Sequence, residues 1–83
     1  MKATVRLFAS LREKAGTSEM TVDLPEYSTV ADLLAAIESR YPGLSASVPH
    51  TMIAVNTEYV EETHPLRDGD EVALIPPVSG GGS

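Results

Sequence analysis

The chain has 83 residues, 42% hydrophobic and 22% charged, which suits one small domain with a single core. It contains no cysteine, so disulfides, thiolate chemistry and cysteine metal sites are excluded. Twelve acidic residues against six basic ones give a net charge of −6, a surface that repels phosphate backbones and argues against nucleic-acid partners.

Met1–Val5 leads straight into a strand pattern without an apolar signal core, and no later run approaches the ~20 apolar residues that span a bilayer. A cytoplasmic protein with no membrane association is expected. Ala3, Val5, Leu7 and Ala9 alternate with Lys2, Thr4, Arg6 and Phe8, the period of a half-buried strand. Phe8 sets a large ring on the otherwise polar face. Ser10-Leu11-Arg12-Glu13 reads as a capping box that opens a helix of about one turn, with Gly16 as its stop. Met20, Val22 and Leu24 then form a second strand, ending at Pro25 and pairing antiparallel with the first.

The one long helix opens at Ser28-Thr29-Val30-Ala31-Asp32, with Thr29 as N-cap and Asp32 three residues on in the capping-box position. Val30, Leu33, Leu34, Ile37 and Tyr41 make one apolar stripe, while Asp32, Glu38 and Ser39 face outward. Pro42-Gly43 terminates it. A loop over Ser45–His50 precedes a third strand, Met52-Ile53-Ala54-Val55. Asn56-Thr57-Glu58 is a turn, and Tyr59-Val60 is at most a short edge strand. Arg67-Asp68-Gly69-Asp70 is a tight turn in which Gly69 can take a positive φ. Glu71–Ile75 is the last strand, broken by Pro76-Pro77, neither of which donates a ladder hydrogen bond.

Strand, strand, helix, strand, short strand, strand is the order of an α+β protein. An antiparallel hairpin crossed by one main helix, with the last strand returning beside the first, is the β-grasp arrangement, a mixed sheet of four to five strands. The expected division is a β-grasp domain over residues 1–78 and a flexible glycine-rich tail over residues 79–83.

That tail suits a carrier that works through its own C-terminus. Glycine threads a channel too narrow for side chains, and Pro76-Pro77 fixes the direction in which the chain leaves the sheet. The same Gly-Gly-Gly-Ser composition also suits an inert spacer. A third feature is an apolar patch. If the first and last strands are neighbours, Phe8 and Ile75 stand together on the exposed face at the root of the tail, as interface residues do.

Several signals carry no chemistry. His50 and His64 lie beside prolines in loops and off metal-ligand spacing, so no metal is expected. Glu58, Glu61, Glu62, Asp68, Asp70 and Glu71 read as a solvated acidic face able to meet basic residues on a partner. Arg12 and Arg67 either pair locally or point at a partner. No catalytic grouping or phosphate loop is visible, so the chain is not expected to catalyse anything alone.

The run Leu7-Phe8-Ala9-Ser10-Leu11-Arg12-Glu13, then Ala54-Val55-Asn56, His64-Pro65-Leu66, Asp68-Gly69-Asp70-Glu71-Val72 and Pro76-Pro77-Val78-Ser79-Gly80-Gly81 resembles the MoaD/ThiS sulfur-carrier family, in order and over nearly the whole chain. The ending resembles the molybdopterin synthase branch most. The resemblance implies a ubiquitin-like β-grasp protein that carries sulfur as a glycine thiocarboxylate. It implies that Gly81 is adenylated and then thiocarboxylated, with Gly80 giving clearance beside it. It implies two partners: an E1-like (MoeB-like) adenylating enzyme that uses ATP, and a MoaE-like large subunit of molybdopterin synthase, in a hetero-oligomer with two copies of each. There the sulfur passes to cyclic pyranopterin monophosphate. Phe8, Ile75, Pro76, Pro77, Val78 and Ser79 would form the partner interface, and no cofactor would be bound by this chain. Sulfur delivery for thiazole or tRNA thiolation, protein modification in the manner of ubiquitin, and a plain binding module are the alternative readings.

One departure from the family pattern is visible. The family ends at the second glycine, whereas this sequence continues through Gly82 and Ser83, about 7 Å of extended chain. Trimming after Gly81, added residues, or a shifted and inactive terminus each account for it.

Overall fold

The computed structural model describes residues 1–76. Pro77, Val78, Ser79, Gly80 and Gly81, and the boundary expected between residues 78 and 79, lie outside the described residues. Chain order is β1 (Lys2–Leu7), α1 (Ala9–Ala15), β2 (Glu19–Asp23), α2 (Val30–Arg40), two 3₁₀ turns (Pro42–Leu44 and Val48–His50), β3 (Met52–Val55), β4 (Glu58–Tyr59) and β5 (Glu71–Ile75).

The sheet order is β2-β1-β5-β3-β4. β1 pairs antiparallel with β2 and parallel with β5, and β3 pairs antiparallel with β5 and β4. The return of the last strand beside the first is therefore observed, and the sheet is the mixed five-stranded form. Alternation decides which face is buried. Ala3, Val5 and Leu7 of β1 and Val72 and Leu74 of β5 all point under the sheet and are almost fully enclosed.

α2 covers that inner face with Val30, Leu33, Leu34 and Ile37, and Tyr41 packs at its end. Each large side chain so enclosed stabilises the fold by about 1.5–3 kcal/mol relative to exposure. The N-terminus of α2 is closed as its sequence dictates. The Thr29 N–H donates to Asp32 Oδ2 at 2.8 Å, and the Asp32 N–H donates to Thr29 Oγ1 at 3.4 Å. Two further orphan donors, the N–H groups of Val30 and Ala31, reach the carbonyls of His64 and Glu62 at 3.0 and 2.9 Å. The segment after β4 is thereby fastened to the start of the helix.

Four expectations need correction. The capping box at Ser10–Glu13 does not form: α1 starts two residues earlier with Phe8 as its N-cap, without a side-chain cap, and runs for seven residues instead of one turn. Ala9 leaves the alternation and is exposed, because its φ of 51° turns the chain from strand to helix. The loop after α2 is shaped by two 3₁₀ turns, which bury Leu44 and Val48 as part of the core. The edge strand is Glu58–Tyr59, one residue earlier than the hydrophobic pair Tyr59-Val60 suggested.

Other signals hold. Gly16 caps α1 at φ 77°, and Gly69 takes φ 86° in the turn before β5. Asn56 and Thr57 both have positive φ, 49° and 73°, as a two-residue hairpin turn between paired Val55 and Glu58 requires. Asparagine accepts that conformation. A β-branched threonine is strained by it.

Candidate functional site

β5 is the middle strand of the sheet, and its end launches the residues from Pro76 onward. What surrounds that exit is fixed by register. Ile75 faces Met52 across the β3–β5 ladder, and Leu7 lies beside Leu74 in the β1–β5 ladder, so Phe8 follows next to Ile75. Ile75 and Met52 thus form one row across β5 and β3 at the end of the sheet, with Phe8 one residue beyond the end of β1 beside it. Phe8 is 44% exposed and Met52 is 47% exposed, while Ile75 is half-buried between them.

One row further from the exit, Arg6, Ala73, Ala54 and Tyr59 are successive cross-strand partners on the same outer face. Tyr59 is 66% exposed. Arg6 is held flat by carboxylates on both sides, Glu19 at 3.6 Å and Glu71 at 3.7 Å. The outer face is thus apolar towards β3 and β4 and charged towards β2. Exposed apolar areas of this kind are a feature of docking surfaces.

Phe8 follows Leu7 and Ile75 follows Leu74, so both lie at the end of the sheet where Pro76 leaves it. Phe8 does so from the cap of α1 instead of from within the strand. The residues that sequence reasoning missed are Met52 and Tyr59, both exposed large apolar side chains that extend the patch across β3 and β4. The register of β3 on β5 was the missing information, since Met52–Val55 shows three apolar residues in succession after Met52 and betrays no outward face.

On the far side of the exit, Pro76 joins Ser10, Ala46, Ser47 and His50 around a hollow of about 300 Å³. Lys14 Nζ donates to Ser47 Oγ at 2.7 Å beside it. His50 therefore stands at the tail root, a position that nothing in its spacing reveals.

The acidic residues do not form one face. Glu58, Glu61, Glu62 and Asp68 are exposed, but Asp70 and Glu71 are half-buried and engaged. Asp70 accepts from the Arg67 backbone N–H at 2.8 Å and from Asn56 Nδ2 at 3.0 Å, closing the turn before β5. The Asn56 Oδ1 in turn accepts from the Glu71 N–H at 3.0 Å. The Asp-Gly-Asp-Glu-Val motif is thus a device for starting the central strand. Among the described residues, no group of three or more His, Asp or Glu is arranged to hold a metal ion, and no helix is long and apolar enough to cross a membrane.

Comparison with known proteins gives a consistent result. The ThiS family model matches residues 5–81. The molybdopterin synthase sulfur carrier subunit of Chlamydomonas reinhardtii is 43% identical over 83 residues, covering 98% of this chain and all of that one. A crystal structure of SAMP1, small archaeal modifier protein 1, from Haloferax volcanii superposes with a TM-score of 0.90 at 35% identity, covering 98% of this chain and 100% of the other. A chain of the protein–protein complex of subunits 1 and 2 of the molybdopterin-converting factor from Helicobacter pylori has a TM-score of 0.72 at 28% identity, with 98% of this chain and 100% of that one covered.

Proposed function

This chain belongs to the ThiS family, and we propose that it acts as the sulfur carrier subunit of molybdopterin synthase. The observation that carries the reading is the end-to-end similarity to a molybdopterin synthase sulfur carrier subunit, together with a family match that runs to residue 81, the last glycine of Pro-Pro-Val-Ser-Gly-Gly in this chain. On this reading the subunit works in a hetero-oligomer with the large subunit, supported by its likeness to a chain of the complex of subunits 1 and 2 from Helicobacter pylori.

The proposed chemistry uses the backbone carboxylate of Gly81. A carboxylate oxygen attacks the α-phosphorus of ATP on an E1-like adenylating partner, and pyrophosphate leaves. Sulfur at the sulfide level, as hydrosulfide, then attacks the acyl carbon, expels AMP and loses its proton, leaving a thiocarboxylate. Inserted into the large subunit, that sulfur attacks an oxygen-bearing carbon of cyclic pyranopterin monophosphate and displaces its oxygen group, and water then hydrolyses the acyl–sulfur bond and restores the Gly81 carboxylate. Activation and transfer belong to the partners, and the folded body supplies docking and aim. Phe8 and Ile75 at the root of the tail meet the partner, while Gly80 gives clearance beside the reacting carbon. A cytoplasmic location fits partners that use ATP.

The test compares a chain ended at Gly81 with the chain ended at Ser83, each incubated with Mg-ATP, the adenylating enzyme and a sulfide donor. Intact mass should show exchange of oxygen for sulfur only on the Gly81-ended form. Sulfur acceptance by the form that retains Gly82 and Ser83 would overturn Gly81 as the site.

A second reading is supported by the likeness to an archaeal modifier protein. The same activated glycine could be attacked by a lysine amine, giving an isopeptide bond instead of a thiocarboxylate. Lysine-linked adducts ending in Gly81, found by peptide mass spectrometry of cell extracts, would establish that activity.

A further inference from the structure

We propose that Met52 is a redox-sensitive contact in the docking face, whose oxidation to the sulfoxide weakens partner binding; this rests on the reading of the sheet's outer face as the partner surface. Three observations carry it. Met52 is the cross-strand partner of Ile75, the last strand residue before the tail, so its thioether stands where the partner must close around the exit. Its exposure of 47% contrasts with 8% for Met20, while Met1 packs against the core and is half-buried. The chain has three methionines and no cysteine, so Met52 is its most accessible sulfur.

The surroundings make a sulfoxide there unfavourable. Met52 shares a hollow of about 310 Å³ with Tyr59, Val60, Glu61 and Glu62. An oxygen added to its sulfur carries partial negative charge and needs hydrogen-bond donors, which water supplies on the free chain and a partner closing over this face removes. The Glu61 and Glu62 carboxylates donate nothing, the Thr51 hydroxyl already donates to the Val48 carbonyl, and the Tyr59 hydroxyl is the one other side-chain donor in the hollow. The reaction is balanced with hydrogen peroxide: the thioether sulfur attacks one peroxide oxygen, the S–O bond forms as O–O breaks, and water leaves. A flexible apolar contact becomes a polar one. Methionine sulfoxide reductases reverse the step, so the change is a switch and not only damage. A cell under peroxide stress would thereby slow docking of a carrier whose cargo is itself an oxidisable sulfur.

The experiment treats the whole chain with hydrogen peroxide until intact mass shows one added oxygen, and locates it by peptide mapping. Mapping is needed because exchange of oxygen for sulfur at a carboxylate adds nearly the same mass. Binding to the molybdopterin synthase large subunit is then measured by calorimetry for untreated and treated chains and for Met52→Leu and Met52→Gln. We expect first oxidation at Met52 and affinity about tenfold weaker, the size of burying an unpaired polar group. Met52→Leu should keep its affinity after the same treatment, and Met52→Gln should bind as weakly as the sulfoxide, with far-UV circular dichroism unchanged in all. Oxidation that falls first on Met1 or Met20, undiminished binding of the Met52 sulfoxide, or equal loss by treated Met52→Leu would overturn the proposal. Failure of the untreated chain to bind would instead overturn the reading of the outer face, and this inference with it.

Discussion

Leu7 and Leu74 lie side by side in the parallel ladder between β1 and β5, both buried, and each is followed at once by a change in the chain's task. After Leu7 the ring of Phe8 turns outward. After Leu74 the strand ends at Ile75 and gives way to Pro76. The pair is the last core contact before the chain leaves the body, and it ties the fold to the exit.

Leu74→Ala should cost about 2–5 kcal/mol, because it empties a fully enclosed site beneath α2. Urea denaturation measures this directly. A loss below about 1 kcal/mol would mean that neighbouring side chains collapse into the space.

Phe8→Ala should leave stability nearly unchanged, since the ring is largely outside the core, yet weaken binding to the large subunit about tenfold as the loss of an aromatic interface anchor does. Calorimetric titration alongside thermal unfolding separates the two effects. Equal affinity for both chains would remove Phe8 from the interface.

Thr57→Gly should raise stability by about 0.5 kcal/mol. It relieves about 1–2 kcal/mol of left-handed strain at φ 73° but adds flexibility to the unfolded chain. For a domain this small the midpoint of thermal unfolding should rise by about 2–4 °C. A lower midpoint would show that the threonine methyl contributes more than its backbone costs.

Asp32→Ala should destabilise by about 1 kcal/mol through loss of the reciprocal cap on α2. Asp32→Glu should retain most of it, because glutamate is the commoner partner in this box. Differential scanning calorimetry of the two variants measures this, and equal losses for both would show that glutamate does not rebuild the cap.

Much of this architecture is legible in the sequence, for identifiable reasons. The alternation in β1 and β2, the stripe and cap of α2 and the glycine turns at Gly16 and Gly69 are all set by neighbours within a few residues. The start of α1 was misread because Ser10 offers a plausible cap, whereas tertiary packing of Leu11 draws the helix back to Ala9 despite a positive φ. Phe8 and Ile75 could be paired from topology alone. Met52, Tyr59 and His50 could not, since each reaches the exit through a register or a pair of 3₁₀ turns that involves distant parts of the chain. The motif Asp-Gly-Asp-Glu-Val could be recognised in sequence, but its work, Asp70 and Asn56 together setting the first residue of β5, required the hydrogen bonds.

The placement of β5 between two ladders has a mechanical consequence. A pull applied along whatever follows Pro76 loads hydrogen bonds to β1 and to β3 together, in shear, and does not peel an edge strand away one rung at a time. A partner that grips the end and later releases it can therefore tug repeatedly without unravelling the folded body.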